Sequence, residues 1–316
     1  FTAPEPTRGP RDLLVEVRAV SVNPVDTKMR MRSEPTGGQA AILGWDAAGV
    51  VKVVGAEVAL FAPGDAVWYA GAIDRPGCNS ERHTVDERIV GRKPTSLSFA
   101  EAAALPLTVI TAWEMLFDRL GVARDGGAGK NLLVVGGAGG VGSILIQLAR
   151  QLSKLTVIAT ASRPETAAWC HELGAHHIID HNKPLAAQLA AIGTPQVEMI
   201  AALTATDTHA LAYVDIIAPQ GRICVIDDPK TFDIMPFKRK SVSLHWEFMY
   251  TRSLFQTLDM IEQHNLLNEI ARLVEEGVIK TTFAEHFGRI NAANLKRAHA
   301  LIESGRAKGK IVLEGF

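Results

Sequence analysis

The amino-acid sequence predicts an α/β protein with a doubly wound parallel sheet and a second, mostly antiparallel β domain. Three observations support this prediction. A glycine-rich turn joins a buried strand to a helix within residues 132–152, strands and helices alternate through residues 105–267, and short β-like segments separated by turns fill residues 1–104. A chain of 316 residues is long enough for about two domains, each with its own core.

The glycine-rich turn follows the apolar run Leu132–Val135 and precedes an apolar stripe at helical spacing. Three of its glycines have the G-x-G-x-x-G spacing of the Rossmann fold, in which the backbone turns tightly and closely approaches a pyrophosphate. The free N–H groups at the start of the following helix favour an anion there. We therefore expect a dinucleotide to bind residues Gly137, Ala138, Gly139, Gly140, Val141 and Gly142.

The residues after the next strand indicate which dinucleotide binds. An NAD site usually places Asp or Glu about 20 residues after the glycines, where it accepts hydrogen bonds from the ribose hydroxyls. Here Ser162 and Arg163 stand in that place. A guanidinium can hold a 2′-phosphate with paired hydrogen bonds, so we expect NADPH as the cofactor. The alternative is that Arg163 is a solvated surface charge.

The strand pattern divides the chain into domains 1–104 with 268–316, and 105–267. The first part is predicted to contain strands Leu13–Val20, Ala48–Val54 and Ala66–Trp68. The central part is predicted to contain six strands: Leu132–Gly136, Thr156–Ala161, His176–Ile179, Val197–Ala201, Arg222–Ile226 and Val242–Phe248. The tail is predicted to form a helix over Asn291–Ser304 and a strand over Gly309–Leu313 that returns to the first domain.

Composition narrows the class of protein. The formal net charge of -1 gives no electrostatic case for nucleic acid or an anionic membrane as partner. We find no apolar run of the roughly 18 residues that span a bilayer and no signal peptide, so we expect a cytoplasmic protein without a membrane partner. The three cysteines are scattered, which favours reduced thiols over a disulfide scaffold.

Several motifs together resemble the medium-chain dehydrogenase/reductase superfamily, and within it the quinone oxidoreductase-like group that lacks zinc. Besides the glycine turn, they are Val22–Asp26, Gly44–Gly49, Pro63–Asp65, Leu105–Trp113 and Gly309–Leu313. The segment Val242–Asp259 is similar to a bacterial subgroup labelled zinc-type alcohol dehydrogenase-like. The resemblance implies a GroES-like fold for the β domain, a missing N-terminal strand, and an active site in the cleft between the two domains.

The same resemblance locates the positions where zinc-dependent members carry their catalytic zinc ligands. Asn23, Trp45 and Leu107 occupy them here. Catalytic zinc needs three protein ligands, and none of these side chains offers a thiolate or an imidazole. We therefore expect no metal site.

Candidate site residues follow from the resemblance. Asn23 is expected to donate to a substrate oxygen, although an Asn before Pro24 is also typical of a turn. Trp45 and Leu107 line an apolar slot for a flat substrate or belong to the core. On the cofactor side, the expected contacts are Thr111 at the nicotinamide, Ile226 and Asp227 at the carboxyl edge of the sheet, and His181 near the adenosine phosphate.

These observations favour an NADPH-dependent, zinc-independent reductase of quinones or α,β-unsaturated carbonyl compounds. Hydride delivered to a conjugated carbon spreads negative charge into an enolate or phenolate, which neutral donors can stabilise. Two alternatives are a zinc-type alcohol dehydrogenase and a dinucleotide-binding, crystallin-like protein without a main catalytic role. The apolar residues of the last predicted sheet strand, Val242–Phe248, indicate an edge that a homodimer would cover.

Overall fold

The protein, a computed structural model, is described for residues 2–32 and 41–316. It divides into two units, which we call the GroES-like unit (Phe1–Ile110 and Met249–Phe316) and the Rossmann unit (Thr111–Phe248). Each unit has its own sheet and its own cluster of buried apolar side chains. The predicted fold class, an α/β protein with a parallel Rossmann sheet and a second β domain, is confirmed.

Thirteen strands occur in the described residues. In chain order they are β1 (Asp12–Val22), β2 (Ala47–Val54), β3 (Ala66–Tyr69), β4 (Arg82–Asp86), β5 (Val90–Arg92), β6 (Asn131–Val135), β7 (Thr156–Thr160), β8 (His177–Ile179), β9 (Val197–Ala202), β10 (Ile217–Val225), β11 (Ser243–Trp246), β12 (Phe283–His286) and β13 (Lys310–Glu314).

Ten α-helices accompany these strands in the same part of the chain. They are α1 (Pro24–Arg32), α2 (Phe99–Ala103), α3 (Pro106–Trp113), α4 (Gly140–Leu152), α5 (Pro164–Glu172), α6 (Leu185–Ala191), α7 (Thr206–Ile216), α8 (Thr251–Leu254), α9 (Glu262–Glu275) and α10 (Ala292–Glu303). A π-helical turn, Glu114–Arg119, follows α3.

The sheet of the GroES-like unit is built around β1. Its strand order is β12-β13-β1-β2-β3-β5, and β4 also pairs with β1. All pairings are antiparallel except that of β12 with β13. The predicted return of the tail is confirmed, since Val20 of β1 pairs with Leu313 of β13. This pairing carries Lys310, at the start of β13, to the end of β1.

The domain boundaries differ from the predicted ones. The first lies after Ile110 rather than residue 104, and the second lies after Phe248 rather than residue 267. The second boundary lies earlier than predicted because α9 packs on β5 of the GroES-like unit. A Cβ on Gly91 would stand 2.5 Å from the Cβ of Leu267. His264 also contacts the carbonyl oxygen of Val90 at 2.6 Å. The amphipathic pattern of α9 does not reveal which sheet its apolar face covers.

The sheet of the Rossmann unit is parallel throughout, with strand order β11-β10-β9-β6-β7-β8. All six predicted strands are present. The order reverses between β6 and β9, which is the position where open α/β sheets bind ligands at the carboxyl ends of their strands. Helix α4 begins directly beside this point.

The sequence patterns missed β4, β5 and β12. Each has three to five residues that include charged side chains, so no apolar run or alternation marks it, whereas the equally short β3 is apolar throughout.

One helical run of the described residues, Phe99–Arg119, is long and apolar enough to cross a membrane by length and composition. The expectation that no apolar run has this length is therefore wrong. Its apolar window is 83% buried inside the protein, as in a core helix.

Candidate functional site

The glycine turn is built by close backbone packing. A Cβ on Gly142 would lie 2.4 Å from the carbonyl oxygen of Gly136, and one on Gly137 would lie 2.8 Å from the Cβ of Ala159. Both glycines are therefore required by the fold, because the turn packs against the start of α4 and against β7. Gly137 also donates its N–H to the carbonyl oxygen of Thr160 at 3.1 Å.

Gly139 differs from these two glycines. A Cβ there would meet only the carbonyl oxygen of Gly136, at 3.5 Å, which is ordinary van der Waals contact. Its backbone, with φ -71° and ψ 174°, suits any residue. Internal packing thus leaves room for a side chain at Gly139, at the N-cap of α4 and directly before Gly140 and Val141. An open N-terminal cradle of this kind fits a diphosphate, which approaches the backbone where a Cβ would stand.

Ser162 and Arg163 follow the carboxyl end of β7, as predicted. Ser162 is exposed. The Nε of Arg163 donates to Oε1 of Glu165 at 2.7 Å, and the side chain of Arg163 retains 34% of its exposure. A half-exposed guanidinium at this strand end fits the predicted 2′-phosphate contact, but the carboxylate of Glu165 competes with a phosphate for it.

Three of the other predicted cofactor residues lie at the carboxyl edge of the sheet, and Thr111 lies in α3. Ile226 directly follows β10, and half-buried His181 follows β8. The carboxylate of Asp227 accepts from the backbone N–H of Thr206 at 2.9 Å and from its hydroxyl at 2.5 Å. Asp227 therefore has a structural role at the start of α7, and its contact with the cofactor stays a prediction. Thr111 is buried in α3, four residues after Leu107 and so on the same face of that helix.

In the GroES-like unit, Asn23 lies at the end of β1 and is 1% exposed. Its Nδ2 donates to the carbonyl oxygen of Trp45 at 3.3 Å and to Oδ2 of Asp46 at 3.0 Å, and its Oδ1 accepts from the Nζ of Lys310. Both amide hydrogens are therefore engaged within the protein. The predicted role of Asn23 as a donor to a substrate oxygen does not fit this arrangement, because both hydrogens already have acceptors within the protein. No sequence pattern had shown Asp46 and Lys310 beside Asn23.

Trp45 and Leu107 occupy positions close to Asn23. Trp45 is 3% exposed and donates its Nε1–H to the carbonyl oxygen of Ala72 at 3.1 Å, while Leu107 is 8% exposed. Both side chains are thus mostly packed, which favours the core alternative for Trp45 in particular. The backbone N–H of Leu107 donates to Oδ1 of Asp46 at 3.0 Å.

A second carboxylate is buried next to this group. Asp26, in the first turn of α1, accepts the backbone N–H of Asn23 at 2.5 Å through Oδ2, while its Oδ1 has no hydrogen-bond partner among the described residues. Burial raises the pKa of Asp26 to about 7, against the lowering effect of its hydrogen bond from Asn23. Burial therefore favours the neutral form of this carboxyl group.

The donor set does not fit a zinc ion. Trp45 and Leu107 have no side-chain atom that could bind zinc, and the oxygen of Asn23 is taken by an ammonium group. Within residues 2–32 and 41–316, no group of three or more His, Cys, Asp and Glu side chains could hold a metal. The lack of bound zinc stays a prediction.

Comparison with known proteins matches both units. The family model "Alcohol dehydrogenase GroES-like domain" matches residues 9–113, and the model "Zinc-binding dehydrogenase" matches residues 173–313. A zinc-type alcohol dehydrogenase-like protein of Staphylococcus aureus is 39% identical over 312 residues, which cover 98% of this chain and 92% of the relative.

Solved structures show the same likeness. A Rhizobium etli protein, described provisionally as a zinc-dependent alcohol dehydrogenase, is 60% identical with a TM-score of 0.95, covering 99% of this chain and 92% of that one. The Escherichia coli quinone oxidoreductase, solved in complex with NADPH, is 25% identical with a TM-score of 0.83, covering 99% and 94%.

Proposed function

Because the chain belongs to the medium-chain dehydrogenase/reductase superfamily, among the zinc-type alcohol dehydrogenase-like proteins, we propose that it is an NADPH-dependent reductase of quinones or α,β-unsaturated carbonyl compounds that works without zinc. The coarser statement, an oxidoreductase of this superfamily, follows from the family alone. The choice of cofactor and acceptor comes from the residues of the site.

The observation that carries the choice of acceptor is the donor set at Asn23, Trp45 and Leu107. A simple ketone becomes an alkoxide on reduction and needs a Lewis acid or a poised acid beside it. These three positions offer a satisfied carboxamide and two packed apolar groups. Conjugated acceptors spread the new charge over several atoms, so their reduction depends mainly on orientation and on exclusion of water.

The chain's own residues then have distinct tasks. The backbone N–H groups at the start of α4 bind the diphosphate, with Gly139 leaving the space for it. Arg163 binds the 2′-phosphate in competition with Glu165. Leu107 keeps water from the acceptor, and Thr111 orients the nicotinamide. Bound NADPH supplies the hydride.

The proposal is tested by following NADPH oxidation at 340 nm by the purified protein with p-benzoquinone, an alkenal such as trans-2-hexenal, and cyclohexanone. We expect turnover with the quinone or the alkenal and none with the saturated ketone. Activity should survive EDTA, and metal analysis should find less than stoichiometric zinc. NADP⁺ with simple alcohols serves as the reverse assay.

Each alternative has its own result. Alcohol oxidation that EDTA abolishes, together with one zinc per chain, would establish a zinc-type alcohol dehydrogenase, the activity that the names of the Staphylococcus and Rhizobium relatives favour. Tight NADPH binding without consumption by any acceptor would indicate a binding protein of the crystallin kind.

We also propose that the protein is a homodimer that associates through β11. This strand lies at the end of the sheet order of the Rossmann unit. Trp246 within it is 61% exposed, and Phe248 just after it is 48% exposed. A second copy pairing along this edge would cover the apolar side chains and the backbone groups of the edge strand.

A further inference from the structure

The GroES-like unit contains an ion pair with almost no access to water. The Nζ of Lys310 lies 2.9 Å from Oδ2 of Asp46, and the two side chains are 2% and 0% exposed. They are 264 positions apart in the sequence, at the start of β13 and just before β2. Charges are rarely buried so deeply unless they are paired and hydrogen-bonded.

The carboxylate of Asp46 is shared by four donors. Oδ1 accepts the backbone N–H of Leu107 at 3.0 Å. Oδ2 accepts the hydroxyl of Ser21 at 2.9 Å, the amide of Asn23 at 3.0 Å and the ammonium of Lys310 at 2.9 Å. The carboxylate of Asp46 thus joins the end of β1, the start of α3 and the start of β13.

Two of these contacts matter for the site. The Leu107 contact anchors the first turn of α3, whose N–H groups have no partner within the helix. The Asn23 contact fixes the carboxamide, and Lys310 decides its orientation because an ammonium can only donate, here to Oδ1. Positions 23, 45 and 107 were predicted to form the substrate slot. Asp46 links them, because it follows Trp45 in the chain and accepts hydrogen bonds from Asn23 and Leu107.

Lys310 makes this arrangement possible. Without it, the carboxylate of Asp46 would be buried near a second carboxyl group, Asp26, with neutral donors alone. With it, the opposite charges of Asp46 and Lys310 balance each other inside the cluster. The Nζ also donates to the carbonyl oxygen of Val22 at 3.2 Å, which completes its three hydrogen bonds.

We propose that Asp46 and Lys310 are the positioning pair of the substrate side of the site. Asp46 holds the residues at positions 23, 45 and 107 relative to one another, and Lys310 supplies the positive charge that balances the buried carboxylate. The kinetic consequences rest on the proposed reductase function, whereas the structural consequences do not.

The test compares Lys310→Met, Asp46→Asn and the double variant with the wild type. Lys93→Met is the matched control, because Lys93 donates to the carbonyl oxygens of Pro94 and Leu97 elsewhere in the same unit. Hydrogen exchange followed by mass spectrometry reports on peptides covering residues 21–25 and 105–110 without any substrate. Steady-state kinetics with the best acceptor and an NADPH dissociation constant complete the set.

We expect exchange in both peptides to be roughly tenfold faster in Lys310→Met, equivalent to about 1.4 kcal/mol, and unchanged in Lys93→Met. The double variant should exchange more slowly than Lys310→Met, because the neutral pair leaves no uncompensated charge. The KM for the acceptor should rise and kcat per NADPH-binding site should fall, with the NADPH dissociation constant within about twofold of wild type.

Wild-type exchange at residues 105–110 in Lys310→Met would overturn the proposal. If Lys310→Met does not fold, Asp46→Asn gives the same test, since its side chain keeps the original shape, and unchanged exchange at 105–110 there would equally overturn it. If the protein reduces none of the acceptors, the proposed function is refuted, but the hydrogen-exchange result still tests the positioning role of the pair.

Discussion

Gly139 provides the sharpest test of how the turn binds a dinucleotide. The Gly139→Ala variant adds one methyl group, whose nearest protein atom would be the carbonyl oxygen of Gly136 at 3.5 Å. Because the backbone of Gly139 suits alanine, the only expected folding penalty is a poorer N-cap, below about 1 kcal/mol, and the reduced freedom of the unfolded chain offsets part of it. The thermal midpoint should therefore change little.

Cofactor binding should change much more. A methyl group where the diphosphate approaches displaces it from the N–H groups at the start of α4. The loss of one charge-assisted hydrogen bond costs about 1.5–3 kcal/mol of binding free energy, which corresponds to a dissociation constant roughly 10- to 150-fold larger. The loss should be similar for NADPH and NADH, because both carry the same diphosphate.

Gly142→Ala is the control for packing. Its new Cβ would lie 2.4 Å from the carbonyl oxygen of Gly136, so the backbone must shift at a cost of about 1–3 kcal/mol or more in stability. Isothermal titration calorimetry with both cofactors and thermal unfolding monitored by circular dichroism measure the two effects. A folded Gly139→Ala protein that binds NADPH as tightly as wild type would refute the reasoning, as would a Gly142→Ala protein of unchanged stability.

Three further predictions concern cofactor preference, pH and assembly. Arg163→Ala should raise the dissociation constant of NADPH roughly 10- to 150-fold, whereas that of NADH should barely change. Glu165→Gln should lower the dissociation constant of NADPH, because it removes the carboxylate that competes for the guanidinium. Equal losses of affinity for both cofactors in calorimetry of Arg163→Ala would exclude the 2′-phosphate contact. Burial, and next the charge of Glu114, raise the pKa of Glu247 above its ordinary value of 4.5, against the lowering effect of Arg119, so the native state keeps a proton at pH values where the unfolded chain has released it. The free energy of unfolding should therefore fall as pH rises above 4.5, and the fall should be shallower in Glu247→Gln; equal slopes of the unfolding free energy against pH in urea titrations of the two proteins would contradict this. Trp246→Lys should convert the proposed dimer to a monomer in light scattering, whereas Leu211→Lys, at an apolar residue on α7 that is 78% exposed, should leave it a dimer; dissociation by both or by neither would refute association through β11.

The local sequence determined the Rossmann unit and its turn. All six strands, the helix after the glycines and the strand end that carries Arg163 were predictable, because a buried strand and an amphipathic helix each have a period that neighbouring residues display. Glycine spacing likewise predicts a tight backbone turn, since the requirement lies within six residues. The distinct role of Gly139 needed the structure, because it depends on which neighbouring atoms a Cβ would meet.

The substrate side was decided by the tertiary structure. Asn23 was predicted from the resemblance to donate to a substrate oxygen, and its sequence neighbours gave no sign of Lys310 or Asp46. The predicted boundary after residue 267 fell inside α9, because the pattern of an amphipathic helix does not show which sheet its apolar face covers. A hydrogen bond between residues 287 positions apart leaves no periodicity along the chain. Periodicity records only which face of an element is buried, whereas the partner of a buried polar group is fixed by the strand pairing that brings β13 beside β1.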